Sequence, residues 1–176
     1  MSDDILYIDY EEVLDVYAST IEKSGGGFSG VRDEGGIRSV IDFMQNDLYY
    51  PDFTAKLSYL VFRFCSGHFF NDGNKRIALT LGAYFLHKNK QIWAAVTFMK
   101  RMEFIVWHIA AGNISDDLLR EIMCCIVDCS DFSESLKLDI ANAMNDKSRA
   151  PIRKIRLATT DSNKYYAKAI HEHYGD

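Results

Sequence analysis

The stretch HFFNDGNKR, residues 68–76, decides the fold because it places a dense polar cluster between two apolar helical segments. One helical pattern ends at Gly67, and the next begins near Gly73 or Asn74. The stretch therefore predicts a loop at a helix N-terminus, where unpaired backbone N–H groups and the helix dipole attract anions. Gly73 would let the backbone approach such an anion closely, because it has no Cβ.

The residue types in this loop suit the handling of phosphate. Asn74, Lys75 and Arg76 supply amide, ammonium and guanidinium donors for phosphate oxygens. Asp72 is placed to hold Mg²⁺, since a carboxylate beside bound phosphates is a usual ligand of that ion. His68 supplies an imidazole, the side chain most often used as a general base acting on a hydroxyl. The loop thus indicates nucleotide-dependent transfer to a hydroxyl group.

A purely structural interpretation stays open from these residues alone. In that interpretation Asp72 caps the helix, Lys75 and Arg76 form a solvated first turn, and His68 is an ordinary loop histidine. The two cations weigh against it, because positive side chains are disfavoured at the positive end of a helix unless an anion is bound there.

The remainder of the chain predicts a mostly α-helical protein. It contains two prolines in 176 residues, and apolar residues recur at helical spacing along most of it. Residues 77–86 are apolar on most sides, which is typical of a helix at the centre of its domain. The glycine-rich stretch 25–36 allows a small β-hairpin near residues 26–33. Further helices are predicted after the capping residues Asp9, Asp52 and Ser115, and over residues 37–46, 97–111, 133–144 and 161–173.

Composition and charge argue against several classes of protein. A net charge of −5 does not suit general binding to nucleic acid or anionic lipid. No apolar run reaches the ~18 residues that cross a bilayer, and the acidic N-terminus lacks the form of a secretory signal. The four cysteines have no C-x-x-C spacing and are interpreted as buried thiols in a reducing compartment. We therefore expect a cytoplasmic globular protein, with neither a membrane nor a nucleic acid as its partner.

The HFFNDGNKR stretch resembles the signature of the Fic/Doc family, H-x-F-x-[DE]-[GA]-N-x-R. The matching residues are His68, Phe70, Asp72, Gly73, Asn74 and Arg76. Lys75 matches the death-on-curing (Doc) subgroup, and GVRDEGGIRSVI upstream and RIAL downstream also look like Doc-type proteins. The resemblance covers residues 5–128 and implies a Fic-like helical bundle around the central helix that follows the loop. Residues 129–176 would form a C-terminal helical extension of unknown role.

This resemblance implies a role for each residue of the site. His68 would take the proton from a Thr, Ser or Tyr hydroxyl of a target protein, and Asp72 would hold Mg²⁺ on ATP. The phosphates would be bound by four consecutive residues, Gly73, Asn74, Lys75 and Arg76. A flap would align the target chain by strand-like pairing. The flap residues are Gly30, Val31 and Arg32.

Two departures from the usual Fic pattern favour one reaction over another. Lys75 stands where a glycine is usual, and Leu79 stands where a second arginine is usual. Doc-like proteins share both departures and are understood to turn ATP around and transfer its γ-phosphoryl group. The resemblance therefore implies a Doc-like toxin that phosphorylates a Ser or Thr hydroxyl of a target protein, such as a translation elongation factor. AMP transfer is the alternative, and Phe69, where proline is common, is expected to be tolerated.

Regulation and a non-catalytic alternative complete the expectations. Ser130 and Glu134 match part of an inhibitory motif of Fic proteins, but Ser135 follows where the motif has Gly or Asn. The arginine that such a glutamate would pair with is also missing. A separate antitoxin partner is therefore expected. A binding module that holds a nucleotide or an antitoxin without turnover is the other alternative, but it would not need the intact His68 and Asp72.

Other features are given bland interpretations. The pair His171 and His173 and the basic run over residues 147–156 are both interpreted as solvated rather than as metal or nucleic-acid sites. Trp93 and Trp107 are interpreted as core or ordinary surface aromatics.

Overall fold

Seven α-helices build the part of the chain that the structure, a computed structural model, describes: residues 4–25 and 29–145. In chain order they are α1 Tyr10–Lys23, α2 Glu34–Phe43, α3 Phe53–Ser66, α4 Asn74–Lys88, α5 Ile92–Ala110, α6 Asp116–Val127 and α7 Glu134–Asn145. Within the described residues no strand is formed beyond a single β-bridge. The predicted mostly α-helical fold is confirmed.

Three helices begin at the capping residues that the sequence predicted. The side chains of Asp9, Asp52 and Ser115 accept hydrogen bonds from backbone N–H groups in the first turns of α1, α3 and α6. At α1 the capping box is complete, because Glu12 in turn accepts from the N–H of Asp9 at 2.9 Å. Each such cap stabilises its helix by ~1 kcal/mol. Gly67 ends α3 directly before the polar loop, as predicted.

Helix α5 begins at Ile92, so the predicted start at residue 97 is wrong. No side chain caps its first turn, and the start therefore carries no local sequence signal. Ala94 and Ala95 are buried there. Packing of these small residues, rather than a cap, stabilises the beginning of α5.

Helix α4 lies at the centre of the bundle and contacts α1, α3 and α5. Its buried residues cover most of its circumference, as the all-round apolar pattern predicted. Gly82 allows this close packing: a Cβ there would come within 2.5 Å of Phe98 on α5 and 2.8 Å of Val61 on α3. The middle of α4 is thus packed closely between α3 and α5, and its first turn carries the polar residues.

The hairpin that the sequence allowed near residues 26–33 is not formed in the described part of it, residues 29–33. Val31 instead makes an isolated antiparallel β-bridge with Phe70. The N–H of Arg32 donates to the C=O of Phe69 at 2.8 Å, and the N–H of Asn71 donates to the C=O of Gly30 at 3.0 Å. The flap is therefore paired with the HFFNDGNKR loop and not with itself.

The C-terminal part of the described chain continues the bundle. Helix α7 contacts α6, and its Leu136 and Ile140 are buried. The ion pair of Arg101 on α5 with Asp131, at 3.1 Å, fixes the connection between α6 and α7. A boundary at residue 128 remains a prediction. The predicted helix over 161–173, the basic run 147–156 and the histidine pair near the C-terminus lie outside the described residues.

Not all four cysteines are buried as expected. All are free thiols, but Cys124 and Cys129 are exposed on and after α6, and only Cys65 is fully buried. Cys124 follows a buried residue in the sequence, but the helical period turns its side chain to the outer face of α6. Among the described helices, none is long and apolar enough to cross a bilayer.

Candidate active site

The loop between α3 and α4 turns through two residues with left-handed backbone conformations. His68 has a φ of 51°, and Gly73, the N-cap of α4, has a φ of 82°. Between them Phe69 and Phe70 are buried, and the ring of Phe70 stacks on Tyr17 of α1 with centroids 3.9 Å apart. Phe70 thus anchors the loop in the core, and the polar residues on either side remain at the surface.

Asn74 holds the curve of the loop. Its Oδ1 accepts from the N–H of Phe70 at 3.0 Å, and its Nδ2 donates to the C=O of Phe70 at 2.8 Å. These backbone groups face away from the flap, since Phe70 pairs with Val31 on its other edge. The geometry therefore makes Asn74 a positioning residue. One N–H of its amide is used by the loop, so only the second N–H could make the predicted contact with phosphate.

Asp72 and Arg76 form an ion pair on the first turn of α4. Arg76 Nη2 lies 2.9 Å from Asp72 Oδ2, while Asp72 Oδ1 accepts from the N–H of Gly73 at 2.6 Å. Arg76 also donates to Ser24 Oγ, at the end of α1. The guanidinium is therefore fixed from two sides, and the carboxylate, about half exposed, is accessible to a ligand.

Lys75 points to a different neighbour. Its ammonium nitrogen lies 4.5 Å from the ring centroid of Trp107 on α5, a cation–π contact. Within the described residues Lys75 makes no ion pair with a carboxylate. The two consecutive cations thus contact separate elements: Arg76 contacts the end of α1, and Lys75 contacts α5.

A cavity of about 830 Å³ opens beside these residues. This volume lies within the ~300–1,000 Å³ typical of small-molecule sites. His68, Asp72 and the first turn of α4 line its polar side, whereas Leu79 and Val106 line an apolar side. Cys65 also lines the cavity, but burial raises the pKa of its thiol to about 12, so it is not a thiolate nucleophile near neutral pH.

His68 lies at the edge of this cavity with an exposed side chain. No hydrogen bond holds its ring within the described part of the chain. An exposed imidazole beside a cluster of phosphate-type donors has the chemistry and the access needed to accept a proton from an incoming hydroxyl.

The donor set fits Mg²⁺ held together with a nucleotide. No group of three or more His, Cys, Asp or Glu side chains in the described part of the chain could bind a metal ion alone. Asp72 is a single accessible carboxylate beside phosphate-type donors, and Mg²⁺ is commonly held by one or two carboxylates with substrate phosphates and water.

The flap presents a free backbone edge next to the cavity. Tyr17 Oη donates to the C=O of Asp72 at 3.1 Å and accepts from the N–H of Gly30 at 3.4 Å, which ties the flap to the loop. Because the neighbours of Val31 bond to the loop, the N–H and C=O of Val31 point the other way. Neither group has a hydrogen-bond partner among the described residues.

The fold and this site define the class. The model of the Fic/DOC family matches residues 7–86. The chain is also similar to Protein kinase doc of Escherichia phage P1, with 33% identity over 87 residues that cover 47% of this chain and 68% of the phage protein. No solved structure gave a significant match. The chain belongs to the Fic/DOC family, and within it the protein is a Doc-like member.

Sequence reasoning identified the residues of the loop but missed several that surround them. Trp107, interpreted as an ordinary aromatic, lies against Lys75 at the cavity. Ser24 and Tyr17, on α1, bind Arg76 and the backbone of Asp72. No local motif marks these three residues, since each reaches the site only through the packing of α1 or α5 against α4.

Proposed function

We propose that the protein is a Doc-like toxin that transfers the γ-phosphoryl group of ATP to a Ser or Thr hydroxyl of a target protein. The observation that carries the proposal is the accessible imidazole of His68 at a cavity that is also lined by the first turn of α4 and its two cations. The resemblance of the chain to a protein named as a kinase supports the same reaction.

In the proposed reaction the chain binds, orients and deprotonates. The N-terminus of α4 and the side chains of Arg76 and Lys75 bind the phosphates, and Asp72 would hold Mg²⁺, which would supply compensating positive charge when bound. A ring nitrogen of His68 takes the proton of the target hydroxyl. The oxygen of the target hydroxyl then bonds to the γ-phosphorus. At the same time the bond between the γ-phosphorus and the β,γ-bridging oxygen breaks, and ADP leaves.

The transferred group is assigned from the residues at two positions. Leu79 is buried and lines the cavity, so no guanidinium is available at that point of α4. The ammonium of Lys75 takes up space beside the first turn. These features support γ-phosphoryl transfer, and AMP transfer by the same loop is the second candidate.

The target is proposed to be a protein segment in extended conformation. The outward N–H and C=O of Val31 can pair with such a segment and bring its hydroxyl toward His68. A translation elongation factor, the target class that the resemblance implies, remains our candidate, and cytoplasm is the compartment in which the two would meet.

Inhibition is assigned to a separate antitoxin rather than to this chain's own motif. Glu134 begins α7, where its carboxylate is exposed and pairs with Lys137 at 2.7 Å. Arg76 is held instead by Asp72 and Ser24. The described residues therefore offer no contact through which Glu134 would block the phosphate-binding turn.

Transfer of label from ATP tests the reaction directly. The protein is incubated with a cell lysate and either γ-labelled or α-labelled ATP in the presence of Mg²⁺. Label on a protein from γ-labelled ATP alone is expected. Label from α-labelled ATP would establish AMP transfer, and nucleotide binding without either label would establish a binding module.

Replacement of the proposed base gives the first prediction at a single residue. His68→Ala is expected to lower the rate of transfer by ~10²–10⁴-fold, the usual contribution of a positioned base. His87→Ala, in the last turn of α4 and away from the cavity, is the matched control and should retain transfer. Full transfer by the His68 variant would remove the assigned base and with it this mechanism.

A further inference from the structure

The two cations of the α4 first turn are positioned by different kinds of partner. Arg76 is held by the carboxylate of Asp72 and the hydroxyl of Ser24. Lys75 is held by the face of the Trp107 ring at 4.5 Å. Ser24 belongs to a wall of the cavity formed by the end of α1, and Trp107 belongs to a wall formed by α5.

The partner of Lys75 matters because an acidic side chain, which could pair with the ammonium instead, lines the same cavity. Glu103 lies on α5 one turn before Trp107 and lines the same cavity. No ion pair between Lys75 and Glu103 is formed in the described part of the chain. A carboxylate would neutralise the ammonium, whereas an indole ring attracts it through the quadrupole of the ring and leaves its charge intact for an anion.

Trp107 is also placed as a residue of the cavity and not of the core. About half of its side chain is exposed, although it sits among buried neighbours Val106 and Ile109 on α5. A large aromatic that is exposed at a cavity and has a cation on its ring is organised for contact at the site rather than for stability. It also lies beyond residues 7–86, the range that the family model matches.

We propose that Trp107 is a positioning residue of the nucleotide site. Its ring fixes the Lys75 ammonium on the α5 wall, so that the phosphates are held between Lys75 and Arg76. This inference rests on the proposed function and adds to it a requirement for α5, which supplies a partner that fixes Lys75 without pairing its charge with a carboxylate.

Substitutions of Trp107 separate its ring face from its volume. Trp107→Leu removes the π face and is expected to lower kcat/KM for ATP by roughly 2- to 30-fold, the range of cation–π contributions, mainly through a higher KM. Trp107→Phe keeps an aromatic face and should restore most of the loss. Trp93→Leu is the matched control, because Trp93 is more exposed, lies on the same helix and does not line the cavity.

A double-mutant cycle tests whether Trp107 acts through Lys75. In a Lys75→Met background, Trp107→Leu should have little further effect on KM. An equal effect in both backgrounds, or no effect in either, would overturn the inference. Far-UV circular dichroism and thermal unfolding of each variant show whether it is folded, and a fluorescence titration that keeps Trp107 tests the inference if Trp107→Leu does not fold.

Fluorescence supplies a readout that does not depend on turnover. The chain has two tryptophans, so Trp93→Phe leaves Trp107 as the sole tryptophan emitter. Titration with ATP and Mg²⁺ is expected to shift or quench this emission, and Lys75→Met should weaken the apparent affinity. Unchanged emission at saturating nucleotide, with binding verified by calorimetry, would overturn the inference. Absence of transfer together with a fluorescence response would instead count against the proposed function alone.

Discussion

Gly73 meets a conformational and a steric requirement at one position. Its φ of 82° lies in the left-handed region, and a Cβ there would come within 2.7 Å of Ile21 Cδ1 on α1. The same Cβ would lie 3.5 Å from Arg76 Nη2, the guanidinium that we propose binds phosphate. A side chain at this residue would therefore disturb both the start of α4 and its neighbour on α1.

Alanine substitutions at two glycines separate these effects. Gly73→Ala and Gly112→Ala both force an L-residue into the left-handed region, and each is expected to lower the free energy of unfolding by about 1–2 kcal/mol. At Gly112, with a φ of 77°, a Cβ would meet open space. Urea denaturation measures the shared cost. Nucleotide titration should show weaker binding only for Gly73→Ala, and unaltered affinity in that variant would refute the close approach that we assign to this glycine.

Residue types were sufficient to propose a chemistry for the loop but not to predict the partners of its side chains. The proposed roles of His68 and Asp72 follow from what an imidazole and a carboxylate can do beside phosphate donors. The engagement of both amide groups of Asn74 by the backbone of Phe70 does not, since it depends on the curve of the loop. The contact of Lys75 with Trp107 depends on how α5 packs against α4, which no local pattern records.

At the scale of elements, one glutamate ties the start of α1 to the end of α4. Glu12 accepts hydrogen bonds from Lys88 Nζ at 2.5 and 2.6 Å and from Tyr84 Oη, both near the end of α4. Farther along α1, Tyr17 donates to the C=O of Asp72, and Ser24, directly after the last residue of the helix, accepts from Arg76. The two helices are therefore tied at both ends, which keeps the α1 wall of the cavity in place.

The charge of Glu12 makes this connection depend on pH. Burial alone would raise the pKa of Glu12, but the hydrogen bonds from Lys88 and Tyr84 outweigh it, so the pKa lies below its ordinary value of 4.5. A carboxyl group with a lowered pKa in the folded state contributes stability above its unfolded pKa and loses it as the pH falls through the folded pKa. The stabilising contribution of Glu12 is therefore expected to be present at pH 7 and to disappear below about pH 4.5.

The variant Glu12→Gln tests this expectation and preserves the capping box, since glutamine also accepts from the Asp9 N–H. At pH 7 it should lower the free energy of unfolding by about 1.5–3 kcal/mol, the range for hydrogen bonds to a charged group. Its difference from the wild type should shrink as the pH falls below 4.5. Glu11→Gln, on the exposed side of the same turn, is the control, and a difference that does not change with pH would contradict the assigned ionic contact.

Local signals explain which elements the sequence could predict. Asp9, Asp52 and Ser115 cap their own helices within one turn. The starts of α1, α3 and α6 can therefore be predicted from a few consecutive residues. The start of α5 cannot be predicted in this way, because it depends on burial. The pairing of the flap cannot either, because it depends on a β-bridge to Phe70, which is distant in the chain.

At the scale of the whole molecule, the site is an assembly of four segments around the start of α4. The end of α1 holds Arg76, α5 holds Lys75, and the α3–α4 loop carries His68. The flap completes the set through its bridge to the loop. The proposed reaction needs all four, because the nucleotide is bound by the helical walls whereas the target protein is aligned by the flap. Loss of the flap edge should therefore separate target recognition from nucleotide binding.

Val31→Pro tests this separation. Proline removes the outward N–H of the flap edge, while the N–H of Arg32 and the C=O of Gly30 still pair with the loop. We expect phosphorylation of the target protein to fall at least tenfold, since one main-chain hydrogen bond to an extended segment is lost and the approach of its neighbours is hindered. Nucleotide affinity should change little, because Val31 does not line the cavity.

Val31→Ala is the matched control, because it shortens the same side chain but keeps the N–H, and it should phosphorylate the target nearly as well as the wild type. Initial rates with a saturating nucleotide and a titrated target would place the loss in kcat/KM for the target protein. Wild-type rates in both the proline and the alanine variant would show that the target does not pair with this edge, and an equal loss in both would assign recognition to the Val31 side chain. A tenfold loss confined to the proline variant would mean that the backbone of the flap, paired on one side with the catalytic loop, uses its other side to present the hydroxyl to His68.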